Sequence, residues 1–215
     1  MKTTLDILSP RPIESNNVDI VRIDDDEVKE AARVLSEAFA RYPIAEYMFE
    51  GLDDGPDRFR VMFEYLISAR IVRNWPVLIA QIDGRIAGVA VISEPGEEYS
   101  TPELDAQWDH ACEAMGGQAM ERFLKYADAC DEGVPSWSHH YLGILGVSPE
   151  FQGMGLGGQL VEATKREARS HPNSQGVCLN TEAERNLGFY GKHGFEIIDE
   201  RPVDSIRTWC MAWSA

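Results

Sequence analysis

The chain has 215 residues, 44% of them apolar and 26% charged, a balance that fits one soluble folded domain, or one with a sizeable insertion. No apolar run approaches the roughly 20 residues of a membrane span, so no membrane partner is expected. A formal net charge of −16 argues against a nucleic-acid binder, whose affinity for phosphate backbones rests on Lys and Arg.

The four cysteines, Cys112, Cys130, Cys178 and Cys210, stand far apart, with no CxxC pair and no His/Cys cluster at zinc spacing. A reduced, cytoplasmic protein without a structural metal is expected.

Residues 1–17, rich in Pro, Ser and Asn, read as a flexible arm, and their apolar segment is too broken for a signal peptide. VDIVRI then alternates as a strand. After Asp24, Asp25 and Asp26, the stretch EVKEAARVLSEAFARY carries Val28, Ala31, Ala32, Leu35, Ala38 and Phe39 at helical spacing, and Pro43 ends that helix. A second helix follows GLDDGPD, with Phe59, Met62, Phe63, Leu66 and Ile67 on one face.

VLIAQIDG and RIAGVAVISEP read as two strands joined at Asp83-Gly84, a strong hairpin signal. Residues 96–136 turn polar and form two amphipathic helices around Gly116-Gly117, an insertion too short to bury a core alone. Strand HHYLGILGV, a glycine loop with its helix, strand GVCLN, a helix around AERNLGFYGKH, and strands FEIIDERPV and IRTWCMAW complete the order. Residues 18–215 thus read as one mixed α/β, or α+β, sheet domain. Cys178, inside GVCLN, reads as a buried strand residue and not a nucleophile.

LGVSPEFQGMGLGG (145–158) places five glycines before an apolar helix, LVEATKREAR. Bare N–H groups at a helix N-terminus hold anions, here aided by the nearby Lys165 and Arg166. A P-loop is excluded, because Gln159 and Leu160 stand where it needs Lys and Ser or Thr. Gly153, Gly155 and Gly158 satisfy the dinucleotide pattern GxGxxG, with Glu182 near the place of its ribose-binding acid, but too few βα units follow.

A third pattern covers more of the chain. Gln152-Gly153-Met154-Gly155-Leu156-Gly157, after Leu145-Gly146-Val147-Ser148-Pro149, resembles the pyrophosphate loop of the GNAT superfamily of acyl-CoA N-acyltransferases. Asn186-Leu187-Gly188-Phe189-Tyr190-Gly191-Lys192-His193-Gly194-Phe195 resembles that superfamily's second motif. The resemblance implies a mostly antiparallel sheet of about seven strands, splayed between strands 4 and 5, with the helical insertion between strands 3 and 4.

The same resemblance implies an N-acetyltransferase that uses acetyl-CoA and transfers directly to a primary amine of a small molecule. The implied cofactor contacts are the main chain of Leu145, Gly146 and Val147, the loop Gln152, Gly153, Met154, Gly155, Leu156, Gly157 and Gly158, and Asn186, Phe189 and Tyr190. Tyr190 is the implied acid for the leaving thiolate, and an N–H near Val147 the oxyanion donor.

The general base is open. Gly143 and Tyr141 stand where relatives often carry a Glu or His. His139 shares their strand face but lies roughly 20 Å of strand from the thioester region, and Glu94, at the end of the third strand, is the other candidate. Tyr141 is expected to orient a water.

The implied acceptor wall is ARYPIAEYMFE, with Tyr42, Glu46 and Tyr47, and Trp137 as a closing residue. The acidic chain hints at a cationic acceptor. The inserted helices at 101–131 either cover the acceptor site or form a homodimer contact. A non-catalytic CoA-sensing domain and, more remotely, a dinucleotide-binding enzyme are the alternatives.

Overall fold

The computed structural model describes residues 18–215; the arm expected for residues 1–17 lies outside the described residues. A strand β1 (Val18–Arg22) leads to helices α1 (Val28–Phe39), α2 (Pro43–Met48) and α3 (Gly55–Val72). Strands β2 (Val77–Ile82) and β3 (Arg85–Ser93) follow, then helices α4 (Pro102–Met115) and α5 (Gly117–Gly133). The chain continues through β4 (His140–Val147), α6 (Leu156–Ser170), β5 (Gly176–Thr181), α7 (Leu187–Lys192), β6 (Glu196–Val203) and β7 (Ile206–Ser214).

The strands form one mixed sheet in the order β1-β2-β3-β4-β5-β7-β6, antiparallel everywhere except between β4 and β5. That parallel pairing covers only His140 with Val177 and Tyr141 with Cys178, after which the two strands diverge. On its other side β4 stays paired to β3 from Tyr141 to Val147. The sheet therefore opens at its centre while its outer strands hold together.

Local chemistry explains these elements. Asp83 and Gly84 have φ of 51° and 73°, the pair of left-handed conformations that a tight two-residue hairpin requires. Pro43 stops α1 as expected, but it also opens the short α2, where its fixed φ and missing N–H suit the first helical position. Thr101 caps α4 by accepting from the Leu104 N–H.

Each face of the sheet carries its own apolar layer. One contains Leu35, Met62, Phe63, Ile79 and Val91 and takes in Ala111, Met115, Ala119 and Met120 from the inserted helices, so the insertion is packed into the core. The other joins Leu156, Leu160 and Val161 of α6 to Ala90, Leu142, Leu179, Tyr190 and Phe195. Cys178 is fully buried, with its sulfur 3.2 Å from that of Cys210, and both are free thiols. Among the described residues no helix is long and apolar enough to cross a membrane.

The splayed half of β4 lies directly against α1. A Cβ added at Gly146 would come 2.7 Å from Leu35 Cδ2 and 3.1 Å from the Ala38 Cβ, so only glycine allows this approach. Gly146→Val is expected to cost about 1–3 kcal/mol through overpacking, read as a lowered urea midpoint with unchanged slope. An unaltered midpoint would mean that α1 does not press on β4 in this way.

Candidate active site

A cavity of about 540 Å³ begins where β4 and β5 part. It is lined by Tyr141 to Val147 of β4, by Phe63, Leu66 and Arg70 of α3, and by Phe123, Tyr126, Cys130 and Asp131 of α5. Asn180 of β5 and, beyond its end, Glu182, Arg185, Asn186, Phe189 and Tyr190 face it, while Gln152 and Gly157 mark the glycine-loop side. A volume in this range suits a small-molecule ligand with an apolar wall and a few polar groups.

At the loop, Gly153 and Gly155 adopt φ of 81° and 80°, conformations that residues with a Cβ rarely take. Gly155 is the cap residue of α6, and a loop of this shape turns the first N–H groups of the helix outward. Gln152 Nε2 donates to the Val147 carbonyl at 3.1 Å, tying the loop to the end of β4.

Gly157 and Gly158 differ in their surroundings. An added Cβ at Gly158 would come 3.0 Å from His193 Nε2, a tight approach, whereas one at Gly157 would make only ordinary contact with Phe189 Cζ at 3.5 Å. Met154 is exposed, whereas Leu156 is buried in the core. Lys165 is not available to an anion at the loop. It is buried, donates to the His193 carbonyl, and stands 4.9 Å from the Trp213 ring centroid.

The floor of the cavity is a continuous polar network. The Tyr141 hydroxyl donates to Asn180 Oδ1 at 3.1 Å, and Asn180 Nδ2 donates to Thr208 Oγ1 at 3.1 Å. Thr208 in turn donates to Glu182 Oε1 at 3.0 Å, which also accepts from the Tyr126 hydroxyl at 2.8 Å. Tyr42 completes the cluster: its hydroxyl accepts from the Glu182 N–H at 3.2 Å and from Asn186 Nδ2 at 3.3 Å, and lies 2.8 Å from Thr181 Oγ1.

Burial pushes the Glu182 carboxyl up to about 7, against the downward pull of the Tyr126, Thr208 and Tyr42 hydroxyls. Burial likewise pushes the Tyr42 phenol up to about 12 and raises those of Tyr126, Tyr141 and Tyr190, so each holds its proton at neutral pH. Tyr190 sits among aromatic neighbours, with Phe189 at 5.0 Å and Phe195 at 5.9 Å between ring centroids. Arg70 is held by Ser93 Oγ at 3.1 Å, and burial lowers its affinity for a proton.

Several residues singled out from sequence lie away from this cavity. His139 precedes the first residue of β4, bonds through Nδ1 with the Trp137 carbonyl at 2.7 Å, and packs edge-on against the Trp137 ring. Trp137 itself faces a separate depression beside Glu132, Glu196 and Arg201. Glu94 lies 3.8 Å from His171 Nε2, at the C-terminal end of α6.

The expected acceptor wall also divides. Tyr42 turns into the cavity, but α2 rotates Glu46 toward another pocket with Phe49 and Leu52. Tyr47 donates to Asp204 Oδ2 at 2.6 Å and is buried beneath Arg122. The short helix begun by Pro43 separates these neighbours, since consecutive helical side chains point in different directions.

Sequence reasoning used Glu182 only as the acid of a dinucleotide site. Its usable signal was strand alternation, which sets Asn180 and Glu182 on one face. Tyr126, Phe123 and Asp131 gave no such signal, because nothing in an amphipathic insertion says which cavity its apolar face meets.

The raised Glu182 carboxyl makes stability depend on pH. Since the folded state keeps this proton to about pH 7 and the unfolded chain only to about 4.5, stability falls as pH rises between them. The full penalty, on the order of 3 kcal/mol, is present above pH 7. Glu182→Gln lacks it, so the variant is expected to gain on wild type between pH 5 and pH 8 in urea denaturation. An equal difference at both pH values would contradict a raised Glu182.

The fold and motifs can be set beside known proteins. A family model described as an acetyltransferase (GNAT) domain matches residues 73–197, more than half of the chain. Among solved structures, arylalkylamine N-acetyltransferase 2 from Aedes aegypti is similar at a TM-score of 0.67 and 17% identity, over 93% of this chain and 99% of that one. A histone acetyltransferase HPA2-related acetyltransferase from Corynebacterium glutamicum reaches 0.66 at 21% identity, over 91% and 94%. A polyamine N-acetyltransferase from Drosophila melanogaster, which forms N-acetylagmatine, reaches 0.61 at 17% identity, over 93% and 100%. The glycine loop, the parted strands and the family match together show that the chain belongs to the GNAT acetyltransferase family.

Proposed function

We propose that the protein transfers an acetyl group from acetyl-CoA directly to a primary amine of a small molecule. The observation that carries this reading is the parting of β4 from β5, which joins an amide-lined loop at one end to a buried polar floor at the other. The edge of β4 beyond Tyr141 has lost its β5 partner, and since Gly146, opposite Val89, turns its main-chain groups toward β3, those of Leu145 and Val147 are left to pair with an extended pantetheine arm. The turn at Gly153 and Gly155 and the start of α6 suit a pyrophosphate. Asn186 and Phe189 border the same gap.

When bound, acetyl-CoA supplies an activated thioester to the amine. The chain orients the two reactants, excludes water with Phe63, Leu66, Phe123 and Phe189, and supplies protons. Tyr190, buried and protonated, is the donor to the departing sulfur, and the Val147 N–H is the donor to the thioester oxygen. Tyr42 and Asp131 face the space left for the acceptor. The free thiols fit a reducing compartment such as the cytoplasm.

Calorimetric titration with acetyl-CoA, with NADH as control, tests the cofactor. Saturable binding of acetyl-CoA alone is expected, and Gly155→Val should abolish it, since valine resists a φ of 80°. Agmatine, spermidine and tryptamine form the first acceptor panel, guided by the amines of the structurally similar enzymes. Binding without turnover of any amine would favour a CoA sensor, and no binding would end the reading.

Tyr190→Phe is expected to lower kcat about 10²–10⁴-fold while leaving the acetyl-CoA dissociation constant within about twofold. An unchanged kcat would reduce Tyr190 to a packing residue.

A further inference from the structure

We infer that Glu182 is the general base of this enzyme, taking the proton that the acceptor nitrogen releases, with Tyr126 and Thr208 as its positioning residues. The inference rests on the acetyltransferase reading above. It replaces His139 and Glu94, neither of which reaches the cavity.

The fold places the carboxylate. Glu182 stands one residue past the end of β5, where β5 has already parted from β4, and Leu145 stands on the parted half of β4. Both line the cavity, with Tyr190 on the same wall as Glu182. A carboxyl on the cavity that the free edge of β4 also lines can reach an amine brought to the thioester there.

Its surroundings favour proton transfer over ion pairing. The titratable groups around Glu182 are the phenols of Tyr42 (before α2), Tyr126 (α5), Tyr141 (β4) and Tyr190 (α7), with the Cys130 thiol of α5, while Arg70, Asp131 and Arg185 line the same cavity without an ion pair to it. Burial raises the phenols and the thiol, so at neutral pH they are uncharged, and Glu182 has no paired cation to hold it ionised. Two hydroxyls, Tyr126 and Thr208, converge on Oε1 and fix the carboxyl plane. A carboxyl poised near 7 is matched to a proton acceptor at physiological pH.

The chemistry balances within these residues. As the amine lone pair forms the nitrogen–carbon bond, Glu182 accepts the nitrogen's proton. As the carbon–sulfur bond breaks, the sulfur takes the bonding pair and Tyr190 gives it the phenol proton. Transfer of the proton on Glu182 back to the phenolate, directly or through water, restores both residues, and the sum is amine plus thioester giving amide plus thiol.

The test combines a titration of the ligand-free protein with rates. In carboxyl-carbon NMR of protein labelled at glutamate, one resonance absent from Glu182→Gln is expected to titrate near pH 7. For the fastest amine of the panel, kcat/KM of the wild type should rise along a limb with its midpoint near 7. Glu182→Gln should lose that limb and about 10²–10⁴-fold of kcat at neutral pH. Its acetyl-CoA affinity should stay within about twofold, which also shows that it folds.

Tyr126→Phe removes a donor to the carboxylate and should move the midpoint upward in both NMR and rate profiles, a shift that lost packing alone would not give. Wild-type turnover with Glu182→Gln equally fast, or a Glu182 resonance titrating near 4.5, overturns the assignment and leaves the acetyltransferase reading intact. A wild type that turns over none of the amines overturns both.

Discussion

Everything at the site depends on β4 keeping one partner while losing the other. A central strand stripped of hydrogen bonds on one side is unfavourable unless something else satisfies its N–H and C=O groups. Here β3 holds β4 along its length, and Gly146 lets α1 brace the splayed half from one face. Leu160 of α6 packs under the other face, in the layer that also holds Leu142. The strand is thus fixed in place by packing, and its free edge becomes available for a ligand to bind as an extra strand would.

The same parting creates the low-dielectric space that raises Glu182. A buried carboxylate without a cation is costly, and hydroxyl donors offset only part of that cost. Such a group is hard to explain by stability alone, because an amide of the same shape would satisfy Tyr126 and Thr208 at less expense. Its place on the cavity lining, with Tyr190, is what the proposed base role accounts for.

Much of the fold was legible in the sequence, since periodicity and turn chemistry are local. Asp83-Gly84 announced its hairpin, the glycine loop its helix, and the two motifs their strand-loop-helix order. The site was less legible. Tyr42 and Tyr141 do line the cavity, whereas α2, which local periodicity does not reveal, turns Glu46 and Tyr47 elsewhere. His139 and Glu94 attracted attention as titratable residues close to strand ends, yet each has its own partner beyond the sheet. Glu182 escaped because its setting is built by Tyr126, Thr208 and Tyr42, which are distant in sequence and share no motif.

The inserted helices resolve into a structural and a chemical function at once. α4 and α5 could not bury a core of their own, and their apolar faces complete the layer built by α1 and α3. In doing so α5 carries Phe123, Tyr126, Cys130 and Asp131 to the cavity wall. Because Tyr126 reaches the carboxylate at the floor, any loosening of α5 would both admit water and remove a donor from Glu182. Both changes act on the same carboxyl, in opposite senses: water would lower its proton affinity, and loss of the donor would raise it. The packing of α5 therefore bears on the proton affinity of Glu182 twice, through burial and through the Tyr126 hydroxyl.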